Sequence, residues 1–331
     1  MSRYWTVLPL LVALAGCMDE APHSNPFDPL SEQPFDEGVL VGDATGIYPP
    51  YDGRAGVRVW IVPVGGGTER VTTTRQDGTF SVDDLPSGTY ALRAEGEGLR
   101  AVADTVEVEI GETASVTFRL DALPVIQTQA AQTVHIERWF PETPLFQLEV
   151  SAIVTDPDAE RDVASVELVV DDIGFREPLD LVRPGHYEYG FDAESLPGGQ
   201  VQAFLGRPVW IEVTDVNGNV GRGEAMTLVR VIEETPLTAS PQARDTVATN
   251  PPTLEWRPAS VGFPFTYRVE VFVVDGAGAS TRIVNATGID PSTTSYTLRQ
   301  PLGRGDYLWA VWIVDSSGNR SRSKTAGFRV L

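Results

Sequence analysis

At 331 residues the chain is too long for one ordinary core and has room for two or three domains of common size. Its 42% hydrophobic and 21% charged residues are those of a folded protein, and 31 Gly and 25 Pro in a Val- and Thr-rich background favour short strands and turns. A net charge of −21 repels phosphate backbones and so disfavours nucleic acid as a partner, while a single cysteine excludes an intramolecular disulfide or a thiolate metal cluster.

Arg3 supplies a short positive region, and Val7 to Ala15 is apolar but too short to span a bilayer as a helix. That is the pattern of a signal peptide over residues 1–16. It ends in Leu14-Ala15-Gly16-Cys17, which resembles the lipobox of bacterial lipoproteins. The resemblance implies cleavage before Cys17 and acylation of its sulfur and its amine, with a membrane as partner through the lipid anchor. It further implies an outer-membrane address in the cell envelope, because Met18 rather than Asp follows the cysteine. Residues 17–37 carry Pro22, Pro26, Pro29 and Pro34 among six acids and no Lys or Arg, and are expected to form a disordered, extended tether.

The remainder is expected to be all-β, a tandem array of three β-sandwich domains over 38–122, 123–235 and 236–331. In the first, Val57, Val59 and Ile61 alternate with polar residues, as do Tyr90, Leu92 and Ala94, then Val106, Val108 and Ile110, then Val116, Phe118 and Leu120. Between them run Gln76-Asp77-Gly78-Thr79-Phe80 and Leu85-Pro86-Ser87-Gly88-Thr89-Tyr90. These segments resemble the carboxypeptidase regulatory-like family, a transthyretin-type sandwich related to Cna-B modules. Asp77-Gly78 is expected to turn a hairpin, and the Pro86–Gly88 bend to aim Tyr90 into the core. The Lys–Asn isopeptide of many Cna-B modules does not transfer, because this module has no lysine.

The second stretch alternates through Phe146, Leu148, Val150, Ala152 and Val154, and again through Val209, Ile211 and Val213. Its order of strands and turns resembles a bacterial immunoglobulin-like domain. In the third, Leu254-Glu255-Trp256, Tyr267 to Val271 and Gly305-Asp306-Tyr307-Leu308-Trp309 resemble fibronectin type III landmarks. The two stretches share an ending, Trp210 to Asn219 and Trp312 to Asn319. The joins near Pro124 and Pro236 are short, and each module is expected to fold by itself.

No constellation for catalysis stands out. The three histidines (His23, His135, His186) fit no metalloprotease spacing, and acids are too abundant to nominate a general acid and base. No enzyme activity and no cofactor are expected. The candidate cation ligands are Asp156, Asp158 and Asp162, with a second cluster at Asp215, Asn217 and Asn219. Turn formation by Asp and Asn is the plainer explanation of both. Trp256 and Trp309 fall in register with the core, whereas Trp210 and Trp312 fall out of register. Those two are the candidate ligand contacts, with packing between modules as the rival explanation. The expected function is that of a lipid-anchored envelope protein, non-catalytic, with an envelope protein or a polysaccharide as partner. The alternative is a glycan-binding or enzyme-accessory lipoprotein using exposed aromatics.

Overall fold

The structure, a computed structural model, describes residues 37–243 and 245–331. The leader, Cys17 and the tether up to residue 36 lie outside the described residues. The chain falls into two compact units, one ending at Leu120 and the other comprising residues 98–100 and 121–331. Both are built of β-sheet, as the alternation requires.

In the first unit a three-stranded sheet carries Glu37–Gly46 at its centre, antiparallel to Thr79–Pro86 and parallel to Thr113–Leu120. A four-stranded sheet carries Arg70–Thr73, Arg58–Pro63, Gly88–Glu95 and Val102–Val108 in that order. Alternate residues of each sheet point into one core of Leu40, Val59, Ile61, Phe80, Leu85, Leu92, Phe118 and Leu120. Tyr90 is buried there as expected, and its hydroxyl donates to the Pro86 carbonyl at 2.6 Å. Two local expectations are corrected. Asp77-Gly78 does not close a hairpin: Arg70–Thr73 and Thr79–Pro86 belong to different sheets, so the turn carries the chain across the core. Ile110 is exposed, because the edge strand ends at Val108.

The second unit contains two cores. One gathers Leu148, Val150, Val154, Val166, Leu168, Phe204, Val209, Ile211 and Val213. The other gathers Leu254, Trp256, Tyr267, Val269, Trp309, Val311, Ile313 and Phe328. They match the two expected sandwiches, but no free linker separates them. Arg320–Arg322 pairs in parallel with Val134–Ile136 at the end of the strand Val125–Ile136, joining strands of both sandwiches into one ten-stranded sheet. The connecting segment is fixed as well. Thr133 Oγ1 donates to the Arg230 carbonyl at 2.8 Å, and Ser321 Oγ donates to that of Glu234 at 2.6 Å. The second and third sandwiches thus share a sheet.

Candidate metal centre

The acids singled out as two clusters meet at one end of the second sandwich. Leu145–Thr155 ends just before Asp156, Val163–Val170 begins just after Asp162, and Pro208–Asp215 ends on Asp215. The antiparallel pairing of the last two strands sets Val163 opposite Asp215. A backbone bond from Val216 N–H to the Asp162 carbonyl, 2.8 Å, closes the loops on each other.

The Asp156 loop is an Asx turn, with Asp158 N–H donating to Asp156 Oδ1 at 2.9 Å. The Asp215 turn is more completely satisfied. Its Oδ1 accepts the N–H groups of Asn217 and Asn219 at 2.9 and 2.7 Å, and its Oδ2 accepts the Asn219 side-chain amide at 2.6 Å. Gly218 takes φ +81° to close that turn. Asp315, Ser317 and Asn319 repeat the same turn in the third sandwich. Asp215 is therefore occupied as a turn former. Within the second cluster the Asn219 amide reaches outward as well, donating also to Asp121 Oδ2 at 2.6 Å.

Asp121 was not among the sequence candidates, yet it completes the site. One carboxylate oxygen each from Asp121, Asp158 and Asp162 lies within 4.8 Å of the other two. Asp156 stands beside this triad rather than in it. Asp121 and Asp162 are 4% and 1% exposed, and Asp158 is half-buried, its Oδ2 accepting Ala122 N–H at 2.6 Å. Burial and then the neighbouring carboxylates push the Asp156 carboxyl up to about 6, against the bond from Asp158 N–H. Burial likewise raises Asp121; the Asn219 amide opposes it, and Asp215, Asp162 and Asp158 add to it. Two buried oxygens, Asp121 Oδ1 and Asp156 Oδ2, have no hydrogen-bond partner. Asp121 was illegible in the sequence because it is a lone acid next to a strand end, with no Asp-Pro-Asp or Asp-x-Asn spacing around it.

The tryptophan expectations are revised. Trp312 is on the outer side of its sheet, as the register requires, but it is only 6% exposed. The guanidinium groups of Arg268, Arg320 and Arg322 lie 5.4–5.7 Å from its ring, and its indole N–H donates to Glu270 Oε2 at 2.7 Å. Arginine stems and heads cover the ring, so it offers no open face to a ligand. Trp210 is half-buried beneath Arg222, whose guanidinium is 4.2 Å from the ring centre. Among the described residues the most exposed aromatics are instead Trp139 and Phe140, at 64% and 91%, ahead of Tyr51 and Tyr189. Trp139 borders a cavity of about 760 Å³ shared with Leu237, Arg257, Leu308 and Lys324. These two residues lie outside any alternating run, and only the Arg138-Trp139-Phe140-Pro141 sequence itself marks them.

Comparison with known proteins agrees with the first module. Residues 44–121 match the family model of the carboxypeptidase regulatory-like domain, a non-catalytic module type, inside the span expected from the sequence. No curated protein sequence is significantly similar to the chain. Among solved structures, the major pilin subunit BcpA of Bacillus cereus is 12% identical, covers 86% of this chain and 91% of its own, and has a TM-score of 0.31. The first three fibronectin domains of chicken CNTN1 are 12% identical over 84% of this chain and 92% of theirs, with a TM-score of 0.32. The fibronectin(III)-like modules of Clostridium thermocellum CbhA are 14% identical over 63% and 93%, with a TM-score of 0.29.

Proposed function

We propose that the protein is a lipid-anchored component of the bacterial cell envelope whose β-sandwich modules serve as a non-catalytic binding or structural array. The observation that carries the anchor is Cys17, the only cysteine of the chain, placed directly after an apolar segment ending in Leu14-Ala15-Gly16. Multiple acyl chains, at ~0.8 kcal/mol per buried CH₂, hold a protein firmly on a membrane. Met18 after that cysteine favours the outer membrane as its address. The shared sheet of the second unit supports the structural half of the reading, because it resists bending where a flexible linker would not.

A glycan- or protein-binding role finds support in the exposed pair Trp139 and Phe140, of which Trp139 borders a cavity, rather than in the covered Trp312. The anchor is tested by fatty-acid labelling in a bacterial host with Cys17 intact and with Cys17→Ala. Labelling and membrane retention should both vanish in the variant; unchanged labelling overturns the anchor. Crosslinking in the same cells, with Trp139→Ala and Phe140→Ala alongside, identifies whether that face holds the partner.

A further inference from the structure

We propose that Asp121, Asp158 and Asp162, with Asp156 beside them, bind one calcium ion at the end of the second sandwich. The inference stands apart from the lipid anchor and from any partner of the exposed aromatics.

Clustered acids alone carry no such conclusion, since turns gather Asp and Asn for their own hydrogen bonds. Asp215 shows this directly, because both its oxygens are consumed by its own turn. Asp121 behaves differently. It is 4% exposed, Asn219 holds its Oδ2, and its Oδ1 is buried without any hydrogen-bond partner. An oxygen of this carboxylate lies within 4.8 Å of oxygens from Asp158 and Asp162. Asp156, 8% exposed, keeps a second buried oxygen without a partner. A buried carboxylate oxygen left unsatisfied is destabilising, and several crowded together repel one another as well. A bound cation removes both penalties at once.

The donor set selects the ion. All the candidate ligands are carboxylate oxygens, the preference of a hard cation, with no His or Cys among them to favour zinc. Calcium takes oxygens at about 2.3–2.6 Å, so two ligands of one ion stand no more than about 5 Å apart, which the triad already satisfies. The ligands come from the connection Asp156 to Asp162, which ends in a single 3-10 turn at Glu160–Asp162, and from Asp121 in a different chain segment. Such a set suits the flexible, six- to eight-fold coordination of calcium better than the strict octahedron of magnesium.

The third sandwich supplies an internal contrast. Its matching turn also buries an aspartate, Asp315, and there Arg230 Nε approaches Asp315 Oδ2 at 3.4 Å. Asn319 turns its side-chain oxygen to Thr133 rather than its amide to another acid. One turn design thus meets an arginine and a threonine at one site, and a group of acids at the other.

The test uses the whole chain, stripped with EGTA and titrated with CaCl₂ or MgCl₂ by calorimetry and thermal unfolding. We expect saturable binding of one calcium per chain and an upward shift of the unfolding midpoint that grows with calcium concentration. Asp121→Asn and Asp162→Asn should each abolish the calcium shift. Asp121→Asn should not lower the calcium-free midpoint, since it relieves carboxylate crowding. The exposed Glu107→Gln, in the first unit, should leave the calcium response intact. Non-saturable binding, an equal response to magnesium, or an unchanged calcium shift in the Asp121 and Asp162 variants overturns the proposal.

Discussion

The side-chain oxygen of Asn319 accepts a hydrogen bond from the Thr133 backbone N–H at 2.9 Å, and the Thr133 hydroxyl, whose proton goes to the Arg230 carbonyl at 2.8 Å, lies 3.2 Å from the same oxygen. The residues are 186 positions apart, and both are almost completely buried. The contact locks the turn after Gly305–Asp315 onto the strand Val125–Ile136, next to the parallel pairing that joins the two sandwiches. Asn319→Ala leaves the Thr133 N–H buried without its partner, a loss of about 1–3 kcal/mol. Urea unfolding should show that loss for the whole chain, and Thr133→Ser should show much less, because the backbone donor and a hydroxyl remain. An unaltered midpoint in Asn319→Ala would mean that the two sandwiches are stable without this lock.

Glu270 is a buried charge, 3% exposed, with a full set of partners. It accepts from Trp312 Nε1 at 2.7 Å and from Arg282 Nη1 at 2.8 Å, and it pairs with Arg268. Burial alone drives its carboxyl up, but the Trp312 indole and the two arginines outweigh burial and hold it below the usual glutamate range. A carboxyl whose folded pKa lies below its unfolded one stabilises the fold above the unfolded value of about 4.5, and that contribution is lost as pH falls through the folded value. Glu270→Gln should therefore lower stability at pH 7 by roughly 1–3 kcal/mol and flatten the acid limb of the stability curve below pH 4.5. Parallel acid limbs for the variant and the parent would show that Glu270 does not contribute to the acid transition.

Trp312 follows from the same cluster. A residue in outward register, expected to be open to a ligand, is instead sealed by arginines from the strands on either side: Arg268 and Arg322 are its direct cross-strand neighbours. Trp312→Ala should cost about 3–5 kcal/mol, as a large-to-small change at a buried site does. Recovery of crosslinked partners, normalised to folded protein, should be unchanged. Full stability with lost partners would restore Trp312 as a binding residue.

These sites show what the sequence discloses and what it withholds. Alternation at Val209, Ile211 and Val213 identified a strand and its buried face, because burial with period two follows from backbone geometry alone. The Leu85-Pro86-Ser87-Gly88-Thr89-Tyr90 run likewise placed Tyr90 inside, since its bend is local. The same periodicity gave the side of the sheet for Trp312 but not its cover, which depends on which side chains adjoining strands contribute. The metal centre was half legible. Asp158 and Asp162 announce themselves by spacing, whereas Asp121 joins them only through tertiary contacts such as Ala122 N–H to Asp158. The meeting of the second and third sandwiches was invisible for the same reason: a parallel pairing between Val134–Ile136 and Arg320–Arg322 leaves no mark in either strand.

The Asp77-Gly78 turn offers a quantitative check on the first unit. Gly78 has φ +83°, a conformation that disfavours any side chain, and a Cβ there would stand 2.5 Å from the Ala44 carbonyl oxygen and 2.7 Å from Gly53 Cα. Gly56 shares the backbone problem, with φ +75°, but a Cβ there meets nothing within 4 Å. The two positions thus separate conformational strain from steric collision. Gly56→Ala should cost only about 1–2 kcal/mol, the left-handed penalty of a single residue. Gly78→Ala must add the displacement of backbone that nothing flexible can absorb, and so should cost clearly more than that, with the first unit losing protection of the Ala44 and Arg54 amides. Those two amides form the bonds Ala44 N–H to Gly78 O, 2.9 Å, and Arg54 N–H to Ala44 O, 2.8 Å, on either side of the collision. Hydrogen exchange read beside thermal unfolding distinguishes the cases; equal penalties at the two glycines would show that the turn yields, and that the chain crosses between the sheets with more slack than this packing allows.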